Sequence, residues 1–182
     1  MKLEDFGPPI VYRAVSLQYL RWVQSAKGSR LVAGRFNPKD ISANYFGLEP
    51  ETAFLEYQQG NPEPLPVAIV GFKVDIKAVV DLRGPATLPS PFNSWRDDWK
   101  DAALGLSSTC PSWECCREVL ALNGSGILFP SQANPSGSNL VVYPEDSTAG
   151  AAHVAVIDPD KLISKYADVT PVSHPAITRV LW

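Results

Sequence analysis

Proline sets the first limit on what this chain can become. Seventeen of its 182 residues are proline, scattered from Pro8 to Pro175, about twice average usage. Each removes a backbone donor and interrupts helices and interior strands. Such spacing allows many short elements joined by ordered loops and argues against a helical bundle. The length suits one domain with a real core, taken as residues 1–182. Strand-like and helix-like patterns alternate without a regular βαβ rhythm, so the expected fold class is α+β.

Strands are expected at Pro9–Val15, with Tyr12 and Arg13 on opposite faces, at Ser42–Phe46, and at Pro66–Val74. The first part of the Pro66–Val74 run is nearly all apolar, so it should be central and buried on both faces. Further extended pieces are Val79–Leu82, Gly126–Ser131, Asn139–Tyr143 and His153–Asp158, with the second and third forming a hairpin that has Ser131 at its neck. Ser16 is expected to cap a short helix carrying Leu17, Leu20 and Val23. Pro50 opens a helix that carries Glu56. Trp95, Trp99 and Ala102 mark an amphipathic helix, and Ser112–Leu122 is the best helix, with Trp113, Cys116, Val119 and Leu120 on one face. The tail from Val169 to Trp182 is apolar enough to be expected to pack on the body.

A formal net charge of −3 gives no electrostatic case for nucleic acid or an anionic membrane. No apolar run reaches membrane-spanning length. Cys110, Cys115 and Cys116 are an odd, clustered set and make no disulfide framework. His153 and His174 stand too far apart for a four-ligand metal set, so no metal is expected. The N-terminal residues carry no apolar leader stretch. Together these point to a reducing compartment and a cytoplasmic protein.

The chemistry concentrates between residues 33 and 57. Arg35 in Ala33-Gly34-Arg35-Phe36-Asn37, Tyr45 ten residues on, and Glu56 eleven further place one cation, one phenol and one carboxylate close together. That set suits holding a diphosphate, stacking a flat ring and stabilising a cationic sugar. On these residues alone, an Arg–Glu ion pair beneath a core tyrosine is an equal alternative.

With Val11-Tyr12-Arg13, Gly34-Arg35-Phe36-Asn37, Tyr45, Ala53-Phe54-Leu55-Glu56, Trp95-Arg96, Trp113, Ile127-Leu128-Phe129-Pro130-Ser131 and Asn139-Leu140-Val141 in that order, the chain resembles the RES domain family over nearly its whole length. It departs from the family in having Ala33 and Phe36 where Gly and Trp are usual, and Asp40 where a glycine often follows. The resemblance implies a split β-sheet core like that of ADP-ribosyltransferase toxins, with NAD bound in the cleft as substrate and no separate cofactor. It also implies a bacterial toxin paired with an Xre-type antitoxin that covers the cleft. A second copy of the chain is a further candidate partner. Carried over by motif, Arg35, Tyr45, Glu56 and Ser131 form the site, with Arg13 as a fifth member.

The resemblance gives these residues roles in breaking the nicotinamide–ribose bond. The leaving group is already cationic, so one carboxylate suffices where glycosidases use two. Glu56 would stabilise the oxocarbenium-like charge, and Arg35, with Arg13, would clamp the diphosphate. Tyr45 would lie against the nicotinamide or its ribose. Ser131 would bond a ribose hydroxyl or fix the Glu56 rotamer. Mono-ADP-ribosylation of a protein and ligand binding without turnover are the alternatives. Transferases that modify arginine carry Glu or Gln two residues before the catalytic Glu, where this chain has Phe54.

Overall fold

The computed structural model describes residues 3–7, 10–59, 66–84, 88–146 and 152–166. Seven strands form one sheet: β1 (Leu3–Phe6), β2 (Ile10–Ser16), β3 (Asn44–Gly47), β4 (Val67–Asp81), β5 (Gly126–Pro130), β6 (Ser138–Val142) and β7 (His153–Val156). Among the described residues four short α-helices accompany them: α1 (Pro50–Gln58), α2 (Lys100–Ala103), α3 (Pro111–Ala121) and α4 (Leu162–Tyr166). The fold is α+β.

The sheet is split. One half is built on β4, which pairs antiparallel with β1, β2 and β7. The other half is the antiparallel set β3–β6–β5. The halves touch through the pair Tyr12↔Gly47 between β2 and β3, and through a short parallel pairing of β4 with β5. Gly47 is needed there: a Cβ would come within 2.6 Å of the Ala53 backbone nitrogen at the start of α1.

The β5–β6 hairpin is the part buried on both faces. Ile127, Phe129 and Val141 face a core with Phe36, Trp95, Cys115, Cys116 and Val119. Their neighbours Leu128, Leu140 and Val142 face a second core with Val11, Val70, Phe72 and Ile76. Alternate side chains of a strand point to opposite faces, so one hairpin supplies both cores.

Several expectations need correction. β4 is central, but it is not buried on both faces: Val70, Phe72, Val74 and Ile76 are buried while Ile69, Lys73, Asp75 and Lys77 are exposed. Among the described residues, no layer packs on its other face to hide Ile69. Val79–Asp81 is not a separate strand but the end of β4. Trp95 does not open a helix. Successive turns run from Phe92 to Asp97, closed by Ser94 N–H to the Pro91 carbonyl and Asp97 N–H to the Ser94 carbonyl, and only Lys100–Ala103 is helical. Both tryptophans are nonetheless core residues. Ser16 precedes a 3-10 turn, Leu17–Trp22, and its side chain makes no capping bond. β1 and α4 carried no clear sequence signal. The tail from Val169 onward, with His174, lies outside the described residues.

Candidate active site

Arg35 stands at the corner of a tight turn. Gly34 and Asn37 pair across it, with Gly34 N–H donating to the Asn37 carbonyl at 2.9 Å. Phe36 drives into the core against Phe129 and Trp95, with ring centroids 4.7 and 5.6 Å away, and is fully buried. Arg35, its neighbour on the turn, is only partly buried.

Three other elements pin the turn. The Tyr45 hydroxyl on β3 donates to Asn37 Oδ1 at 2.8 Å and accepts from Phe36 N–H at 2.9 Å. A Cβ on residue 34 would stand 2.8 Å from that hydroxyl and 2.6 Å from Asn37 Oδ1, which is why glycine is required. At the start of α3, Ser112 Oγ donates to the Arg35 carbonyl and Trp113 Nε1 donates to the Gly34 carbonyl. Trp113 is thus half-buried with its ring N–H tied to the turn, rather than fully on the core face of the helix. Tyr143 Oη donates to the Phe36 carbonyl. Burial pushes the Tyr45 phenol well above its ordinary value, so it stays neutral. Its hydroxyl is committed to the turn, and its ring packs against the core around Phe36.

The Arg35 guanidinium lies 5.8 Å from the Trp99 ring centroid and 6.0 Å from that of Trp95, within cation–π reach. Nη2 donates to Gln132 Oε1 at 2.6 Å, while Nη1 is buried with no hydrogen-bond partner. Desolvation pulls the Arg35 pKa down, and the Glu56 charge partly offsets it. Even so, no ion pair within 4.0 Å joins the two.

Glu56, on α1, is held by neutral groups. Oε1 accepts from Ser131 Oγ at 2.7 Å and from Asn139 Nδ2 at 2.5 Å, and Oε2 accepts from Gln59 Nε2. Ser131 is itself fixed, accepting the backbone N–H groups of Ala133 and Asn134. Arg13, on β2, donates to the Val23 carbonyl at 3.0 Å and to Asn44 Oδ1 at 2.9 Å. Burial lowers its pKa to about 10, still cationic at neutral pH, and it has no ion-pair partner among the described residues.

Arg35 and Glu56 therefore feel each other's charge without forming a contact ion pair, while Arg13 has its hydrogen bonds on Val23 and Asn44 and shares no partner with either among the described residues. A structural cluster would collapse into ion pairs, because a desolvated charge is costly unless it is paired. Here neutral amides, a hydroxyl and a carbonyl do the holding. Nη1 of Arg35 is left as a buried donor with no hydrogen-bond partner among the described residues.

A family model for the RES domain matches residues 10–164. The chain belongs to the RES domain family. A chain of the crystal structure of the M. tuberculosis MbcT–MbcA toxin–antitoxin complex shares the fold, with a TM-score of 0.53 and 20% identity over 91% of each chain. No curated protein matches. This member of the RES domain family thus shares its split-sheet fold with a chain of that complex.

Sequence reasoning missed Asn139, Gln132 and Gln59, all of which touch the named site residues. Asn139 stood in the sequence as part of a strand and of the Asn139-Leu140-Val141 motif, without a role; nothing local marks which side chain of a strand reaches a distant carboxylate. Among the described residues, no group of three or more His, Cys, Asp and Glu side chains is placed to hold a metal ion. No described helix is long and apolar enough to cross a membrane. A groove of about 700 Å³ lies elsewhere, lined by Arg21, Trp22, Asp158 and Ile163 among others. It contains none of the Arg35, Tyr45, Glu56 and Ser131 set.

Proposed function

We propose that this RES domain protein is a bacterial toxin that cleaves the nicotinamide–ribose bond of NAD. The carrying observation is the un-neutralised pair of charges: Arg35 with a free Nη1, and Glu56 held only by neutral donors. NAD has the complementary pattern, an anionic diphosphate on one side and a cationic nicotinamide–ribose on the other.

Arg35 takes a diphosphate oxygen on Nη1, and its Nη2 exchanges the Gln132 oxygen for another. Arg13 adds a second positive charge. The Tyr45 ring offers a flat wall. Glu56, whose hydrogen-bond donors carry no charge, faces the ribose as positive charge develops at the anomeric carbon. The C–N bond breaks with its electron pair leaving on nicotinamide. Water then adds to the anomeric carbon and gives up a proton, yielding ADP-ribose. Phosphate adding instead would yield the ADP-ribosyl phosphate. A preorganised charge of this kind is worth roughly 10²–10³ in rate.

We place the activity in the cytoplasm, which suits three free, buried cysteines. An Xre-type antitoxin covering the cleft is the proposed partner, supported by the toxin–antitoxin complex that shares the fold. Protein mono-ADP-ribosylation is the second reading, and Phe54 two residues before Glu56 argues against an arginine acceptor. Expression of the chain alone in bacteria tests the proposal. Growth should stop, intracellular NAD should fall before viability does, and the Glu56→Gln chain should be harmless. Arrest with NAD unchanged would shift the reading to protein modification.

A further inference from the structure

Three side chains hold the Glu56 carboxylate, and they differ in how firmly they are themselves held. Gln59 lies at the exposed end of α1. Ser131 lies on the loop after β5, where the Ala133 and Asn134 N–H groups hold its hydroxyl oxygen. Asn139 lies on β6, paired with Phe129 of β5 on one side and Gly47 of β3 on the other, and is only 6% exposed. We infer that Asn139 is a positioning residue: from the junction of three strands, its amide sets the Glu56 carboxylate against the reacting ribose. It therefore governs turnover rather than NAD affinity. This rests on the NAD-cleaving reading above.

The chemistry of the amide fits the task. Its Nδ2 donates to Oε1 at 2.5 Å without adding charge, so the carboxylate stays an uncompensated anion. A lysine or arginine at this place would hold the carboxylate as firmly but neutralise the charge that stabilises the transition state. Rotating the amide would turn its oxygen toward the carboxylate, so only one orientation is stable. With Oε1 taken by Ser131 and Asn139, the direction of Oε2 is fixed, and a positioning error near 1 Å costs about a hundredfold in rate.

Two variants test this. Asn139→Ala removes the donor. Asn139→Asp keeps the shape but sets a second carboxylate against Glu56. The other charged groups near this point are Arg35, on its turn, and Glu49, whose carboxylate accepts the Ser138 N–H at 3.4 Å. Two carboxylates in contact cannot both ionise without strong repulsion, and sharing one proton relieves it. Asn139→Ala should lose roughly a hundredfold in kcat with the KM for NAD changed less than about threefold. Asn139→Asp should lose as much at pH 8 and recover activity toward pH 5, where the introduced carboxyl group, once protonated, again donates to Oε1. Wild-type kcat in a folded variant, or a raised KM with kcat intact, overturns the assignment. If the wild-type chain releases no nicotinamide at all, the NAD reading has failed, and the contact is then read in the ligand-free protein. The Asn139 side-chain NH₂ resonances, assigned by their loss in Asn139→Ala, should shift in Glu56→Gln; if they do not move, the positioning inference fails on its own.

Discussion

Glu56→Gln separates a working site from a structural charge cluster, because the two predict opposite balances of rate and stability. The glutamine oxygen can still accept from Ser131 and Asn139, and the exposed Gln59 amide can turn to meet the new NH₂. The lost charge weakens two partly buried hydrogen bonds from the charge-assisted to the neutral class, a gross difference of about 1 kcal/mol each. Relief of carboxylate desolvation offsets part of that. A net loss of about 1 kcal/mol lowers Tm by about 2–4 °C in a chain of this size. Turnover should fall by roughly 10²–10³, or about 2.7–4 kcal/mol of transition-state stabilisation. If Glu56 were instead the partner of a structural Arg35 ion pair, removing it would strand a buried cation and cost about 3–5 kcal/mol. The melt would then drop by on the order of 10 °C or more. Nicotinamide release followed by chromatography, beside a circular-dichroism melt, reads both quantities. A folded Gln variant with near wild-type turnover refutes the charge-stabilising role, and a collapsed melt refutes the neutral-donor picture.

Arg35→Lys should raise the KM for NAD at least tenfold with the melt nearly unchanged, since an ammonium cannot replace two parallel guanidinium bonds; unchanged kinetics would remove Arg35 from the diphosphate site. Tyr45→Phe leaves Phe36 N–H and Asn37 Oδ1 without their shared partner. It should cost about 1–3 kcal/mol of stability, and an unaltered melt would contradict that role. Burial pushes the thiols of Cys115 and Cys116 up to about 12, so the reactive thiolate forms only well above pH 8. A thiol reagent at pH 8 should label them only on unfolding, and rapid labelling of native protein would show that these thiols are accessible.

What the sequence disclosed was local. Pro50 announced α1, and the apolar spacing of Trp113, Cys116, Val119 and Leu120 announced α3, which starts one residue earlier, at Pro111. The errors share a cause: they concern which faces meet. A run such as Val67–Val70 looks buried on both faces, yet burial depends on whether a layer covers it, and none among the described residues covers Ile69. The doubly buried hairpin β5–β6 has an equally apolar sequence, so composition could not rank the two. Trp95 and Trp99 have helical spacing, but the turns ahead of α2 bring both to the core without a helix. Asn139 escaped because its role exists only once β6 lies beside β3, close to the helix that carries Glu56.

The most direct test is the fate of NAD with the purified wild-type chain, with and without phosphate, followed by chromatography of every product. Nicotinamide should appear in step with NAD loss, together with ADP-ribose, or with ADP-ribosyl phosphate when phosphate is present. Intact NAD after prolonged incubation with folded protein would contradict NAD cleavage as the function of this site.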